Sequence, residues 1–384
     1  MRSAMIVAAC LLSPSALAWS DGAVPSPAQI DTLVRDAMAR TKAQGLALAV
    51  IEDGKVSHVR AWGHRNAAGQ PLTTDTIMYG ASLTKMLFAY TVMQLSEEGK
   101  IDLDQPISRH LAKPLPEYPD EPGYGPWSTL AGDERWRRLT PRILLTHSSG
   151  FANFAFVEPD GKLRFHFDPG TRYAYSGEAL ILLQFVLERG LGLQLGAEMK
   201  QRTFDRFGMK NTSMSWRPDF AANLADGWDA AGKPEAHDRR SRVRAAGSMD
   251  TTINDIARFA AGFMRGEGIS PSSRADMLRP QLAITTASQF PTLQPELPPE
   301  RRHAGLSAGL GVVTFSGPQG PGFFKGGHND TTANMLVCVE KRRRCVVLLS
   351  NDVRAETAFP GLVDRLLGET GLPWTWEYGP PKVQ

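Results

Sequence analysis

The hydrophobic pattern along the chain alternates between two periods, and the changes of period delimit its elements. Apolar residues recur at helical spacing through Ile30, Leu33, Val34, Ala37 and Met38, predicting a helix over residues 27–43. Residues 46–51 and 56–62 are two β-rich runs around Asp53-Gly54, the signature of a hairpin. From residue 83 to 98 the side chains Met86, Leu87, Phe88, Tyr90, Val92, Met93 and Leu95 leave little polar relief before Gly99. That pattern predicts a helix buried nearly all round. Thr140-Pro141 caps another helix, and helical segments follow over 178–187, 195–207 and 252–264. Strands are expected at 309–315, 322–326, 334–339 and 345–350, and a last helix at 357–367. Residues 113–139, rich in Pro, Gly, Tyr and Trp, show no period and read as an ordered surface loop, with a lid over a site as the alternative. A Pro-rich linker spans 289–302. With strands at both ends and helices between, the fold class is α/β (α+β): one central antiparallel sheet built from both chain ends, flanked by helices, with a mainly helical region inserted at about 80–305 between sheet regions 27–79 and 306–384.

Composition narrows the classes of partner. The 384 residues are 42% hydrophobic and 22% charged with a formal net charge of +3, an ordinary globular balance that does not predict a nucleic-acid partner. The one dense basic run, Lys341-Arg342-Arg343-Arg344, falls at an expected turn and reads as solvated. Arg2, the apolar run from Ala4 to Leu12 and the small-residue site Ala16-Leu17-Ala18 predict a signal peptide over 1–18, leaving 19–384 as the exported domain, periplasmic or secreted. No other stretch has the length of apolar sequence that stable membrane insertion requires. Cys338 and Cys345 flank the basic turn symmetrically, and export favours a disulfide between them. No histidine pair has ligand spacing, so no metal and no cofactor is expected. Composition is silent on oligomeric state.

The candidate chemistry begins at Ser82-Leu83-Thr84-Lys85. Residues three apart share a helix face, so the Lys85 amine can lie beside the Ser82 hydroxyl at the start of the buried helix. Burial and the positive helix end both favour a neutral amine, the form that can take the serine's proton.

Two further elements follow in order, Tyr175-Ser176-Gly177 and Lys325-Gly326-Gly327, with Leu144-Leu145-Thr146-His147-Ser148-Ser149-Gly150 and Phe167-Asp168-Pro169-Gly170 ahead of them. Jointly these resemble the class C β-lactamase and penicillin-binding family of serine hydrolases, over nearly the whole mature chain. The resemblance implies Ser82 as nucleophile, Lys85 and Tyr175 as the acid/base pair, and Lys325, Gly326, Gly327 and His328 as the strand that binds substrate. His328-Asn329-Asp330 competes for that strand position, and His328 as a base is the sharper alternative. By the same registration the backbone N–H groups of Ser82 and His328 would form an oxyanion hole. Tyr173 and His147 are expected to be structural. Gly177 departs from the family, which carries asparagine there. The activity implied is an acyl-enzyme hydrolase of a small-molecule or peptidoglycan-derived peptide substrate, whether D-Ala-D-Ala-type peptide, ester or β-lactam. Gly177 and the aromatic loop lean toward a peptidase or esterase. The alternative is a non-hydrolytic penicillin-binding or sensor protein of the same fold.

Overall fold

The structure is a computed structural model and describes residues 25–378; the signal peptide expected at 1–18 lies outside the described residues. Helix α1 (Pro27–Thr41) opens with a capping box from Ser26 and Gln29. Strands β1 (Gly45–Glu52) and β2 (Lys55–Gly63) form the expected hairpin, with Asp53 and Gly54 both at positive φ in its turn. Five further strands extend the sheet from the C-terminal part of the chain: β4 (Ser307–Ala308), β5 (Val313–Gly317), β6 (Gly320–Asn329), β7 (Thr332–Val339) and β8 (Arg344–Ser350). A two-residue edge strand β3 (Leu282–Ala283) completes it, although it falls within the stretch read as the helical insertion. The order is β2-β1-β8-β7-β6-β5-β4-β3, antiparallel throughout.

Both faces of the sheet are covered, so its central strands read as unbroken apolar runs. Along β1, Ala47, Ala49 and Ile51 point into one core, and Leu46, Leu48 and Val50 into the other. The first core holds α2 (Thr84–Glu97), α3 (Gly177–Phe185) and α4 (Ile253–Met264). The second holds α1 and α5 (Phe359–Leu367). A short helix α6 (Trp374–Tyr378) follows. Cys338 pairs with Cys345 across the β7–β8 hairpin, and the two form a disulfide.

Three expectations are refined. Residues 113–139 run over the surface but are anchored inward, with Leu115, Trp127, Leu130 and Trp136 buried in the first core. Short 3₁₀ turns carry them inward, with the rings of Tyr118, Tyr124 and Trp127 set against Phe185. The basic turn is not wholly solvated, because Arg344 is buried, donating to Glu52 at 2.8 Å and to the carbonyls of Leu366 and Leu367. Residues 289–302 are not a bare linker, since Gln289 is buried and bonded to two partners.

Candidate active site

Ser82 sits in a 3₁₀ turn (Ala81–Leu83) that feeds directly into α2. Ala81 is held at φ 46°, a left-handed conformation that costs a residue with a Cβ about 1 kcal/mol or more. The bend leaves Ser82 half-buried on a cavity of about 240 Å³. Behind it, every residue of α2 from Thr84 to Leu95 is buried, so Lys85 enters the apolar core with its stem and reaches the cavity only with its amine. Lys85 Nζ lies 3.0 Å from Ser82 Oγ and donates to the Ala246 carbonyl at 2.5 Å. Burial, and then the nearby Lys325 charge, hold the Lys85 amine well below its ordinary range.

Tyr175 arrives from the opposite side. It precedes Ser176, whose hydroxyl caps α3 by accepting from Ala179 N–H at 3.1 Å. The Tyr175 hydroxyl donates to Ser82 Oγ at 2.7 Å. Burial pushes the Tyr175 phenol upward, so it stays protonated. His147 stacks on the Tyr175 ring with centroids 4.5 Å apart, and its Nδ1 accepts the Ser176 N–H at 3.1 Å. Buried and facing two lysines, its imidazole is held neutral. It is not among the residues lining the cavity and packs against the rings of Tyr173 and Tyr175. Tyr173 points away, donating to Gln289 Oε1 at 2.8 Å.

Strand β6 forms the next wall. Gly327 is set so close to the Ser82 turn that a Cβ there would lie 2.9 Å from Ser82 N and 3.0 Å from Leu83 N. Lys325 is buried, its amine 5.0 Å over the Tyr175 ring and donating to the Gly326 carbonyl at 3.0 Å; burial pushes it down to about 8. His328 Nδ1 lies 3.0 Å from Glu356 Oε2, and that carboxylate raises the imidazole. Ser82, Lys85, Tyr175, Lys325, Gly326, Gly327 and His328 therefore meet at one cavity. Gly177 lies just beyond it, and Phe154 occupies the space a side chain there would need: a Cβ would fall 2.4 Å from Phe154 Cζ.

Several lining residues carry no sequence signal. Asn153 accepts the Gly177 N–H at 2.9 Å, Gln289 and Phe290 come from the Pro-rich segment, Arg244 from a loop, and Glu377 from α6. Among the described residues no group of three or more His, Cys, Asp or Glu is arranged to hold a metal ion, and no single helix is long and apolar enough to cross a membrane.

A hydroxyl flanked by a buried amine and a phenol, on an antiparallel sheet with helices on both faces, is the arrangement expected of the β-lactamase class of proteins. The chain belongs to the Beta-lactamase family, whose pattern it matches over residues 30–367. Among curated relatives it is 24% identical to a beta-lactamase of Pseudomonas fluorescens, over 60% of this chain and 62% of that one. It is 26% identical to Esterase EstB of Burkholderia gladioli, over 82% of each. Thus the chain spans less than two thirds of the first relative's length and most of the second's. The fold is shared with D-alanine carboxypeptidase AmpC of Burkholderia cenocepacia, with a TM-score of 0.69 at 20% identity, covering 89% of this chain and 98% of that one.

Proposed function

We propose that the protein is an exported serine hydrolase that cleaves an ester or amide bond through an acyl-enzyme on Ser82. The observation that carries this reading is the position of Ser82 Oγ, 3.0 Å from Lys85 Nζ and 2.7 Å from Tyr175 Oη. In the first step the Ser82 proton passes to the Lys85 amine as Oγ bonds to the substrate carbonyl carbon. The carbonyl's bond to its oxygen or nitrogen leaving atom then breaks, and that atom takes a proton from Tyr175, which is replenished from Lys85. Water attacks the acyl-enzyme by the reverse proton path, releasing the acid and restoring the Ser82 hydroxyl.

The oxyanion would be held by the N–H groups of Ser82 and His328. Residues two apart in a strand turn their amides to the same side, and Gly327, next to His328, packs against the Ser82 N–H, which supports an N–H of this strand as the second donor. The ion pair with Glu356 argues against His328 as the base, because a raised, paired imidazole is a poor proton acceptor. Export is supported by the Cys338–Cys345 disulfide, which persists in oxidising compartments.

The test is intact-mass analysis after incubation with a fluorophosphonate, alongside hydrolysis of p-nitrophenyl butyrate. One adduct and turnover on the wild type, with neither on Ser82→Ala, is expected. Equal labelling or turnover in Ser82→Ala would refute the assignment.

A further inference from the structure

The β6 wall of the cavity is electrically self-balanced. Gly326 and Gly327 offer no side chain, so the side-chain donors of this stretch are the Lys325 amine and the His328 ring. His328 is paired with one internal carboxylate, and Lys325 shares the cavity with a second. His328 is 3.0 Å from Glu356, in the turn (Val353–Ala358) ahead of α5. Glu377, from α6, is 4% exposed and lines the same cavity as Lys325. It is fixed there by Gln289 Nε2, which donates to Glu377 Oε2 at 2.7 Å, while Gln289 Oε1 accepts from Tyr173. Burial pushes the Glu377 carboxyl up, and Lys325 and His328 pull it back. A Lys325 cation and a Glu377 carboxylate in one cavity sum to no net charge, as do a protonated His328 and Glu356.

The leaving atom must be protonated from Tyr175, and Tyr175 is flanked by Lys325 on this wall and by Phe290 of the Pro-rich segment, whose ring lies 5.1 Å from its own and 5.8 Å from that of His328. The leaving group therefore departs along the β6 wall. Resting on the acyl-enzyme reading above, we propose that Glu377 and Glu356 occupy the role a substrate carboxylate would take, so that the enzyme selects substrates with an uncharged leaving group and discriminates against those carrying a carboxylate beside the scissile bond. A third carboxylate here would leave a buried net negative charge without a counter-ion, whereas a neutral group meets a balanced surface. Arg244, an exposed cation elsewhere on the rim, lies outside this wall, so the selection is confined to the part of the substrate along β6.

The experiment compares two benzoate esters that differ only at this point, the ester of glycolamide and the ester of glycolate. The wild type is expected to hydrolyse the glycolamide ester with kcat/KM at least about tenfold higher, a difference of about 1.4 kcal/mol in transition-state binding. Glu377→Gln, which can keep the bond from Gln289, and the more accessible Glu356→Gln should each narrow that ratio several-fold in favour of glycolate. A wild type that hydrolyses the glycolate ester equally well or better overturns the proposal, as does a ratio unmoved in both variants. Ser82→Ala separates this from the parent reading, since persistent hydrolysis of the glycolamide ester in that variant would refute the nucleophile and not the selectivity.

Discussion

Replacing Gly327 with alanine would drive a methyl group against three backbone atoms at once. The added Cβ would lie 2.9 Å from Ser82 N, 3.0 Å from Leu83 N and 3.1 Å from Gly80 O, where ordinary contact begins at 3.4 Å. No side chain can rotate away, so β6 and the Ser82 turn must part by roughly half an ångström, at a cost of about 1–3 kcal/mol for overpacking. Both sides resist: β6 is registered to β7 through eight residue pairs, and the Ser82 turn is continuous with buried α2. The separation falls between the two proposed oxyanion donors, where a 1 Å misplacement costs about a hundredfold. A loss of roughly ten- to a hundredfold in kcat with little change in KM is expected, since the contact matters mainly in the transition state. The assay is steady-state hydrolysis of p-nitrophenyl butyrate with thermal melts, using Gly361→Ala in α5 as control. Nothing lies within 4 Å of a Cβ there, and the control should gain about 0.5–1 kcal/mol of stability without losing activity. A folded Gly327→Ala enzyme within twofold of wild-type kcat would refute the close-approach argument.

Tyr175→Phe should lower kcat by about a hundredfold or more while the protein stays folded, and near wild-type turnover would show that Tyr175 carries no proton. Because Lys85 must be neutral to act, kcat/KM should rise with pH on an acid limb set by its lowered pKa. The Lys325 charge contributes to that lowering, so Lys325→Gln should move the limb to higher pH; a limb that stays or moves down would contradict the coupling. In the window between its folded pKa and the ordinary 10.5, Lys85 binds a proton in the unfolded chain and not in the folded one, so stability there rises with pH. Lys85→Met, inactive, should flatten that rise and melt higher than wild type at pH 7 in calorimetry; a lower melt would mean the amine is stabilising. Replacing Cys338 and Cys345 together by alanine should cost about 2–3 kcal/mol in urea unfolding, as expected for a loop with a sequence separation of 7, with activity kept at 25 °C. The pair lies toward the end of β7 remote from Gly327, so lost activity in a folded variant would be unexpected.

Elements with strong periodicity are legible in the amino-acid sequence itself. The β1–β2 hairpin, α2 and the paired cysteines follow from period, turn chemistry and symmetry, and the sheet from their placement at the two ends. The two-residue strands β3 and β4 are not legible, because two residues have no period. The segment 113–139 resists reading for a related reason: its buried tryptophans are carried by 3₁₀ turns, whose spacing matches neither template. Arg344 is hidden because a charge run reads as solvated unless its partner, Glu52, is known to lie across the sheet. In the site, Ser82, Lys85 and Tyr175 carry motif spacing, whereas Asn153, Gln289 and Glu377 are single polar residues whose meaning comes only from tertiary placement. Gly177 is visible as a departure from the family, but not its reason, the Phe154 ring that fills the space.

One physical quantity, burial, separates the proposed acid from the proposed base. Lys85 is 1% exposed and Tyr175 4%, and low dielectric penalises the charged form of each. For the lysine that form is the cation, so its pKa falls; for the tyrosine it is the phenolate, so its pKa rises. The same apolar surroundings therefore bias the amine toward the neutral form that can take the Ser82 proton and keep the phenol protonated, able to give one to the leaving atom. Neither state requires a third charged group, and His147, stacked on Tyr175, is itself held neutral by burial. The arrangement also explains why Lys325 needs an internal counter-ion. A second ammonium near Lys85 helps to depress it, yet uncompensated it would itself be costly to bury, and Glu377 in the same cavity offsets part of that cost.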